Sequence, residues 1–326
     1  MTPATTVGDW AGDRLAHEAV VFDRDDQVRA RVLPYVREGL ERGESMVVVA
    51  SDTVRGIIAD EFGSATDEFA VFADSIDHWA GGWPETLAAN QEGMTSLIEA
   101  GLPWRRIGEP VWMALPGGDV WSRYEAIANE AFSDYPYYSL CLHDTRRLSP
   151  ELVDNALRTH PLLWDGTEVT PSPHYQSTEA FLRSQEPLWS RAPDDREGST
   201  VTRAGEARHL VHAGMPPSAS HVLTGDVVLA VHELVVNAIT AAGAAEVTHW
   251  RENGAVVWEV SDDGLGMHET AAGYTPPRHE QERGRGLWIA RTLADEATVR
   301  PYGPGTAVRL WFALHDAPGD TTGHPA

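Results

Sequence analysis

Two polar residues stand four apart inside an otherwise apolar run: Glu233 and Asn237 in Asp226–Ala242, DVVLAVHELVVNAITAA. Val228, Leu229, Val231, Leu234, Val235, Ala238 and Ile239 recur near the helical period, which predicts a helix carrying both polar side chains on one face. A carboxamide oxygen can hold Mg²⁺ against phosphate oxygens. A neighbouring carboxylate can orient or deprotonate an attacking hydroxyl. Alone, such a pair reads more often as the polar strip of a solvated helix.

Three further segments follow in order. Ala255 to Val260 alternates like a strand and runs into Ser261-Asp262-Asp263-Gly264-Leu265-Gly266-Met267. Glycines two apart let the backbone turn tightly against a flat ligand, and Asp262 can accept a hydrogen bond from an exocyclic amine. Arg283-Gly284-Arg285-Gly286-Leu287 is a glycine-rich turn opening a helix that continues through Leu293, and amides at a helix N-terminus favour phosphate. The polar stretch from His268 to Glu282, with Gly273, Pro276 and Pro277, reads as a mobile lid. Gly305-Thr306 then turns into a strand ending near Phe312. Asp-Gly turns are common in isolation, so the order of the segments carries the signal.

This constellation resembles the Bergerat-type (GHKL) ATPase domain shared by gyrase-type topoisomerases, a heat-shock chaperone, histidine kinases and the RsbW-like anti-sigma-factor serine kinases. The resemblance covers roughly residues 200–315. It implies an α/β sandwich, a mixed sheet with helices on one face, that binds ATP and Mg²⁺. It places Asn237 on Mg²⁺ and Asp262 on adenine, and it draws Gly264, Gly266, Arg283, Gly284, Arg285, Gly286, Leu287, Gly305 and Thr306 into the nucleotide site.

Composition narrows the chemistry independently. The chain has no lysine, and all 25 basic residues are arginine. That excludes a P-loop, an ordinary protein-kinase fold and Schiff-base catalysis, each of which needs a lysine amine. With 49 acidic residues and a net charge of −24, nucleic acid and anionic membranes are poor partners. Residues 51–100 hold ten carboxylates and a single arginine, Arg55, which reads as a solvated surface. Cys141 is the only cysteine and sits in the apolar run Tyr138 to Leu142, as a buried strand residue would. No targeting segment or membrane-spanning run is legible, and a cytoplasmic protein is expected.

The first half alternates strand and helix. The pattern predicts strands at Ala19–Phe22, Ser45–Ala50, Phe69–Phe72, Ile107–Trp112 and around Cys141. Helices are predicted at Gln27–Arg42, Thr53–Phe62, Pro84–Ala100, Val120–Phe132 and Pro150–Arg158. Such alternation argues for a parallel sheet wrapped by helices. His17, His78, His143 and His160 are too scattered for a metal-ligand pattern, and Asp144 beside His143 reads as a strand-end turn. Trp79, Trp83, Trp104, Trp112 and Trp121 read as packing against the sheet. The strings IGEPVW (from Ile107), WSRYE (from Trp121) and CLHDTRRL (from Cys141), ending at Thr159-His160-Pro161, resemble the MEDS sensory domain, found fused to RsbW-like ATPases. That resemblance implies a RecA-like α/β fold. The glycine loop expected after Ser45–Ala50 is missing, so nucleotide hydrolysis is not expected in this half.

The organisation expected is a MEDS-like domain over 12–164, a Pro- and Ser-rich linker over 165–200 with some local structure in the short helix-like run Thr178 to Ser184, the ATPase domain over 201–315 and a disordered tail over 316–326. The linker is too short and proline-rich to build the helical bundle of a histidine kinase. The expected activity is therefore a small serine/threonine kinase, with Glu233 as general base and Arg283 and Arg285 neutralising charge on the γ-phosphate. By resemblance its partners are a sigma factor and a small STAS-type anti-sigma-factor antagonist, and relatives are commonly homodimers. An ATP-dependent binding switch without transfer is the alternative.

Overall fold

The computed structural model describes residues 12–75, 83–101, 103–115, 118, 121–185, 192–267, 272–274 and 285–314. Two compact units divide the chain, residues 1–185 and 186–326.

The first unit runs β1 (Ala16–Phe22), α1 (Asp25–Glu41), β2 (Ser45–Ala50), α2 (Asp52–Phe62), α3 (Thr66–Phe69), β3 (Ala70–Asp74) and α4 (Trp83–Glu99). It continues with β4 (Trp104–Gly108), α5 (Trp121–Ala131), β5 (Tyr138–Asp144), α6 (Pro150–Thr159), β6 (Leu162–Trp164), β7 (Val169–Pro171) and α7 (Thr178–Gln185). Its sheet has the order β3-β2-β4-β5-β1-β6-β7, parallel throughout except for β7 at the edge. β1 and β5 are buried along nearly their whole length, as strands covered on both faces must be.

On one face Val20, Val48 and Leu140 pack under Val32 and Val36 of α1 and Ile58 of α2. Glu18 lies on this apolar face, fully buried, where an unpaired carboxylate would be prohibitive. Arg31 meets it with two hydrogen bonds, Nε to Oε1 at 2.6 Å and Nη2 to Oε2 at 2.5 Å, and the Tyr138 hydroxyl donates to Oε2.

β4 begins three residues before the predicted Ile107 and ends at Gly108. Pro110 has no N–H to donate to a ladder, and the chain turns into a 3-10 helix at Val111–Ala114. Two arginines at the true start hid the strand. Arg105 is fully buried, pairs with Glu38 at 3.0 Å and with Glu44, and lies over the Tyr35 ring.

The segment expected to be a linker is largely folded. β7 adds to β6, and the helix-like run from Thr178 forms α7, which buries Phe181 and Leu182. Composition concealed β7 and the docking of α7, where Thr178 Oγ1 donates to the Ala126 carbonyl at 2.8 Å.

The second unit runs β8 (Glu197–Val201), α8 (Gly205–Gly214), α9 (His221–Ala242), β9 (Ala245–Glu252), β10 (Ala255–Ser261), α10 (Arg285–Leu293), β11 (Glu296–Tyr302) and β12 (Gly305–Ala313). The sheet order is β11-β12-β10-β9-β8, and every pair is antiparallel. The mixed sheet expected from the family resemblance is therefore corrected. Tight hairpins impose this direction on two of the pairs: Asn253-Gly254, with φ of 49° and 78°, is the Asn-Gly turn that matches strand twist in β9–β10, and Gly303 at 57° serves β11–β12.

The predicted helix is α9. Ser220 caps it by accepting from Leu223 N–H at 3.0 Å, and Gly243 ends it in the left-handed region at φ 81°. Val227, Val231, Leu234 and Val235 are buried against Val247, Val256, Trp258 and Leu310 of the sheet. Each such side chain contributes about 1.5–3 kcal/mol by leaving water. By length and composition α9 could cross a membrane; one face of it is instead the core of this unit.

Candidate functional site

The helical period of α9 sends Leu234 and Ala238 to the core while Glu233, half-buried, and Asn237, exposed, reach its outer edge. There they meet the start of α10. A Cβ at Gly286 would fall 2.9 Å from Asn237 Nδ2 and 3.1 Å from Glu233 Oε2. Residue 286 must therefore be bare for the two helices to close on the acid–amide pair. The first turn of α10 has N–H groups without intrahelical acceptors, which favours anions at this corner.

Asp262 follows the end of β10. Its Oδ1 accepts from Gly264 N–H at 2.8 Å, a local turn that fixes the carboxylate, and its own N–H donates to the Thr306 carbonyl at 2.9 Å. Gly266 adopts φ 80°, open to glycine and costly for other residues. Between these parts lies a concavity of about 250 Å³. Asn237, Asp262 and Thr306 supply its polar groups, and Leu234, Ala238, Val260, Leu287 and Val308 its apolar wall. A largely apolar concavity with one carboxylate suits a heteroaromatic base, and the amide and helix end beside it suit its charged extension.

Of the predicted residues, the fold brings together Glu233, Asn237, Asp262, Gly264, Gly266, Gly286, Leu287, Gly305 and Thr306. Arg285 starts α10 and is exposed. Arg283, Gly284 and most of the predicted lid lie outside the described residues, as does the tail. The described part of the lid, Ala272–Tyr274, is held down. Arg291 Nε donates to the Ala272 carbonyl at 3.2 Å, and its guanidinium lies 3.7 Å from the centre of the buried Tyr274 ring. Sequence reasoning missed Arg291 and Met267 because neither belongs to a motif. Met267 lines the slot, and Leu265 beside it is 93% exposed. A wider groove of the same unit, about 1260 Å³, runs along Arg208, His212 and His232 and shares none of the glycine-rich turns.

Residues 16–161 match the MEDS family, described as MEthanogen/methylotroph, DcmR Sensory domain, and residues 198–312 match the histidine kinase-like ATPase domain. The chain joins a MEDS domain to a histidine kinase-like ATPase domain. No curated protein matches it. Among solved structures, the crystal structure of the RsbU and RsbW domains of Rv1364c from Mycobacterium tuberculosis is 22% identical, with a TM-score of 0.26, over 42% of this chain and 39% of that one. The chain thus spans less than half of that protein, and the likeness carries no weight for activity.

In the MEDS unit the tryptophans pack as expected: Trp104 stacks on Tyr137 at 4.6 Å, and Trp112 meets Trp121 edge-on at 5.7 Å. The side chains of Trp79 and Trp83, and His78, lie outside the described residues. Asp144 does close a strand-end turn, accepting from Arg146 N–H at 2.9 Å and from its guanidinium at 2.8 and 2.9 Å. One expectation fails. His17, His143 and His160 converge on the sheet face opposite Glu18, with ring centroids 4.0 Å (His17 to His160) and 5.0 Å (His143 to His160) apart. Neighbouring parallel strands β1 and β5 supply two of them, a juxtaposition that spacing along the chain does not reveal.

Proposed function

We propose that this chain is an ATP-dependent regulator of the RsbW kind. In this reading the ATPase unit phosphorylates a serine or threonine of a small STAS-type antagonist and, in its other state, holds a sigma factor, with the MEDS unit setting the balance. The observation that supports it most is the closure of Gly286 on both Glu233 and Asn237, which puts an acid, an amide and a helix N-terminus at one corner of an apolar slot.

Asp262, pinned by its turn with Gly264, accepts from the exocyclic amine of adenine while Leu234, Val260 and Leu287 hold the ring out of water. The first turn of α10 receives the phosphates. The residues present fit a Mg²⁺ ion, because the Asn237 carboxamide is exposed beside the bare Gly286. Asn237 would hold it, and when bound it neutralises phosphate charge. Glu233 takes the proton from the antagonist's hydroxyl as that oxygen bonds to the γ-phosphorus, and the bond to the ADP oxygen breaks. Arg283 and Arg285 offset charge on the transferred group.

The test uses the full chain, Mg-ATP labelled at the γ-position and purified STAS-type antagonists. Acid-stable label on the antagonist is expected, and it should vanish with Glu233→Ala. Acid-labile label on the chain itself would mean a histidine kinase. Tight nucleotide binding with no transfer to any antagonist would leave a binding switch in place of a kinase.

A further inference from the structure

Six side chains able to bind protons or metals meet between the MEDS sheet and helices α5 and α6. His17 comes from β1, Cys141 and His143 from β5, Glu125 and Asn129 from α5, and His160 from the residue that ends α6. All are at least nine-tenths buried, and His160 is fully so. Burying this many polar groups is costly unless each finds a partner. Several do not. His160 Nε2 and both nitrogens of His143 lack hydrogen-bond partners among the described residues.

The surroundings fix which atoms face inward. Asn129 spends its amide hydrogens on the carbonyls of Thr159 (2.7 Å) and Glu125 (3.2 Å), so its Oδ1 can only accept, and His17 Nδ1 lies 3.0 Å from it. His160 Nδ1 lies 2.8 Å from the Ala156 carbonyl, which likewise can only accept. Both imidazoles therefore carry a proton on Nδ1 and turn Nε2 toward Glu125, His17 also toward Cys141. Outer partners that set the tautomer in this way are characteristic of metal-binding histidines.

Distances complete the case. His17 Nε2 is 3.4 Å from Cys141 Sγ and 3.4 Å from Glu125 Oε2, and His160 Nε2 is 3.7 Å from Glu125 Oε2. All four donor atoms fall within 4.8 Å of one another. A tetrahedral zinc ion, with bonds of about 2.0–2.3 Å, needs neighbouring donors about 3.3–3.6 Å apart.

We propose that His17, Glu125, Cys141 and His160 form a closed, four-coordinate site for a divalent metal of the zinc class inside the MEDS unit. One thiolate and one carboxylate balance the charge of such an ion, so the four ligands and the metal together carry no net charge beside the buried Arg106. With four protein ligands it has no open position, so the metal fastens α5 and α6 to β1 and β5 without acting on a substrate.

Cobalt provides the direct test, since Co²⁺ reports both geometry and sulfur ligation. Full-length protein stripped with chelator is titrated with Co²⁺ and then Zn²⁺. Expected are one equivalent bound, the intense visible bands of a tetrahedral ion and a thiolate-to-cobalt charge-transfer band, all displaced by Zn²⁺. Cys141 is the only cysteine in the chain, so that band can have no other source. Cys141→Ser should abolish it, and Asn129→Ala should weaken binding about 10–100-fold while keeping it. His143→Phe, outside the four ligands, serves as the control should Cys141→Ser fail to fold; it should retain one equivalent and the sulfur band. A folded wild-type protein that binds no Co²⁺, or binds it with a six-coordinate spectrum lacking the sulfur band, overturns the proposal.

Discussion

Gly305 lies flat against the main chain of Asp262: a Cβ there would stand 1.9 Å from the Asp262 carbonyl oxygen and 2.6 Å from its carbon. Backbone is met on that side, and it cannot swing away as a side-chain tip can. Gly305→Ala should therefore push β12 off the β10 end and displace Asp262. The expected outcome is a loss of about 1–3 kcal/mol in stability together with nucleotide affinity, read by urea unfolding and by titration with Mg-ATP. Unchanged affinity would separate Gly305 from the slot.

Gly286→Ala should behave differently. Asn237 Nδ2 and Glu233 Oε2 are side-chain ends that can rotate away, and the third contact, Glu233 Cβ at 3.2 Å, needs a shift of only a few tenths of an ångström. Stability should fall less than with Gly305→Ala, while phosphotransfer falls at least tenfold because the acid–amide pair is displaced. Thermal melts and transfer assays on the same preparation distinguish the two glycines.

Glu233→Ala removes the proposed base and leaves the apolar slot intact. Nucleotide affinity should stay within about twofold while transfer drops by about 10²–10⁴. Equal transfer by the mutant would remove Glu233 from the mechanism.

In the MEDS unit, Arg31→Met strands the Glu18 carboxylate on the apolar face. Loss of one member of a buried pair costs about 3–5 kcal/mol, to be read from urea unfolding. Adding Glu18→Gln, which leaves no buried charge to desolvate, should recover part of that loss.

A pH dependence follows at Asp144. Burial alone would raise its carboxyl, but the Arg146 side-chain and backbone hydrogen bonds outweigh burial and hold it below the usual carboxylate value. A depressed folded value means that the stabilisation is complete above the unfolded value, about 3.9, and is lost as pH falls through the folded one. Asp144→Asn should therefore lower the urea midpoint at neutral pH, and the gap to wild type should close as pH falls below the unfolded value.

The acid–amide pair of α9 and the glycine turns were legible because each lies in one short segment whose local conformation follows from residue type. Strand order was not, and with it went everything that depends on neighbours in space. His17 and Cys141 stand 124 positions apart, yet β1 and β5 lie side by side with Ala19 opposite Cys141. The same limit hid β6 and β7, three-residue strands that only their pairing defines, whereas α7 was legible as a helix-like run at Thr178 to Ser184. β4 was displaced because Arg105 and Arg106 look exposed until Glu38, Glu44 and Tyr35 are known to surround Arg105.

Because α9 buries Val231 and Leu234 in the sheet core and offers Glu233 and Asn237 from its adjacent edge, a ligand held there binds only the folded form of the ATPase unit. Occupancy and unfolding are then one linked equilibrium. A nucleotide at a hundred times its dissociation constant adds about 2.7 kcal/mol to the stability of that unit, so its melting temperature is itself a gauge of nucleotide concentration.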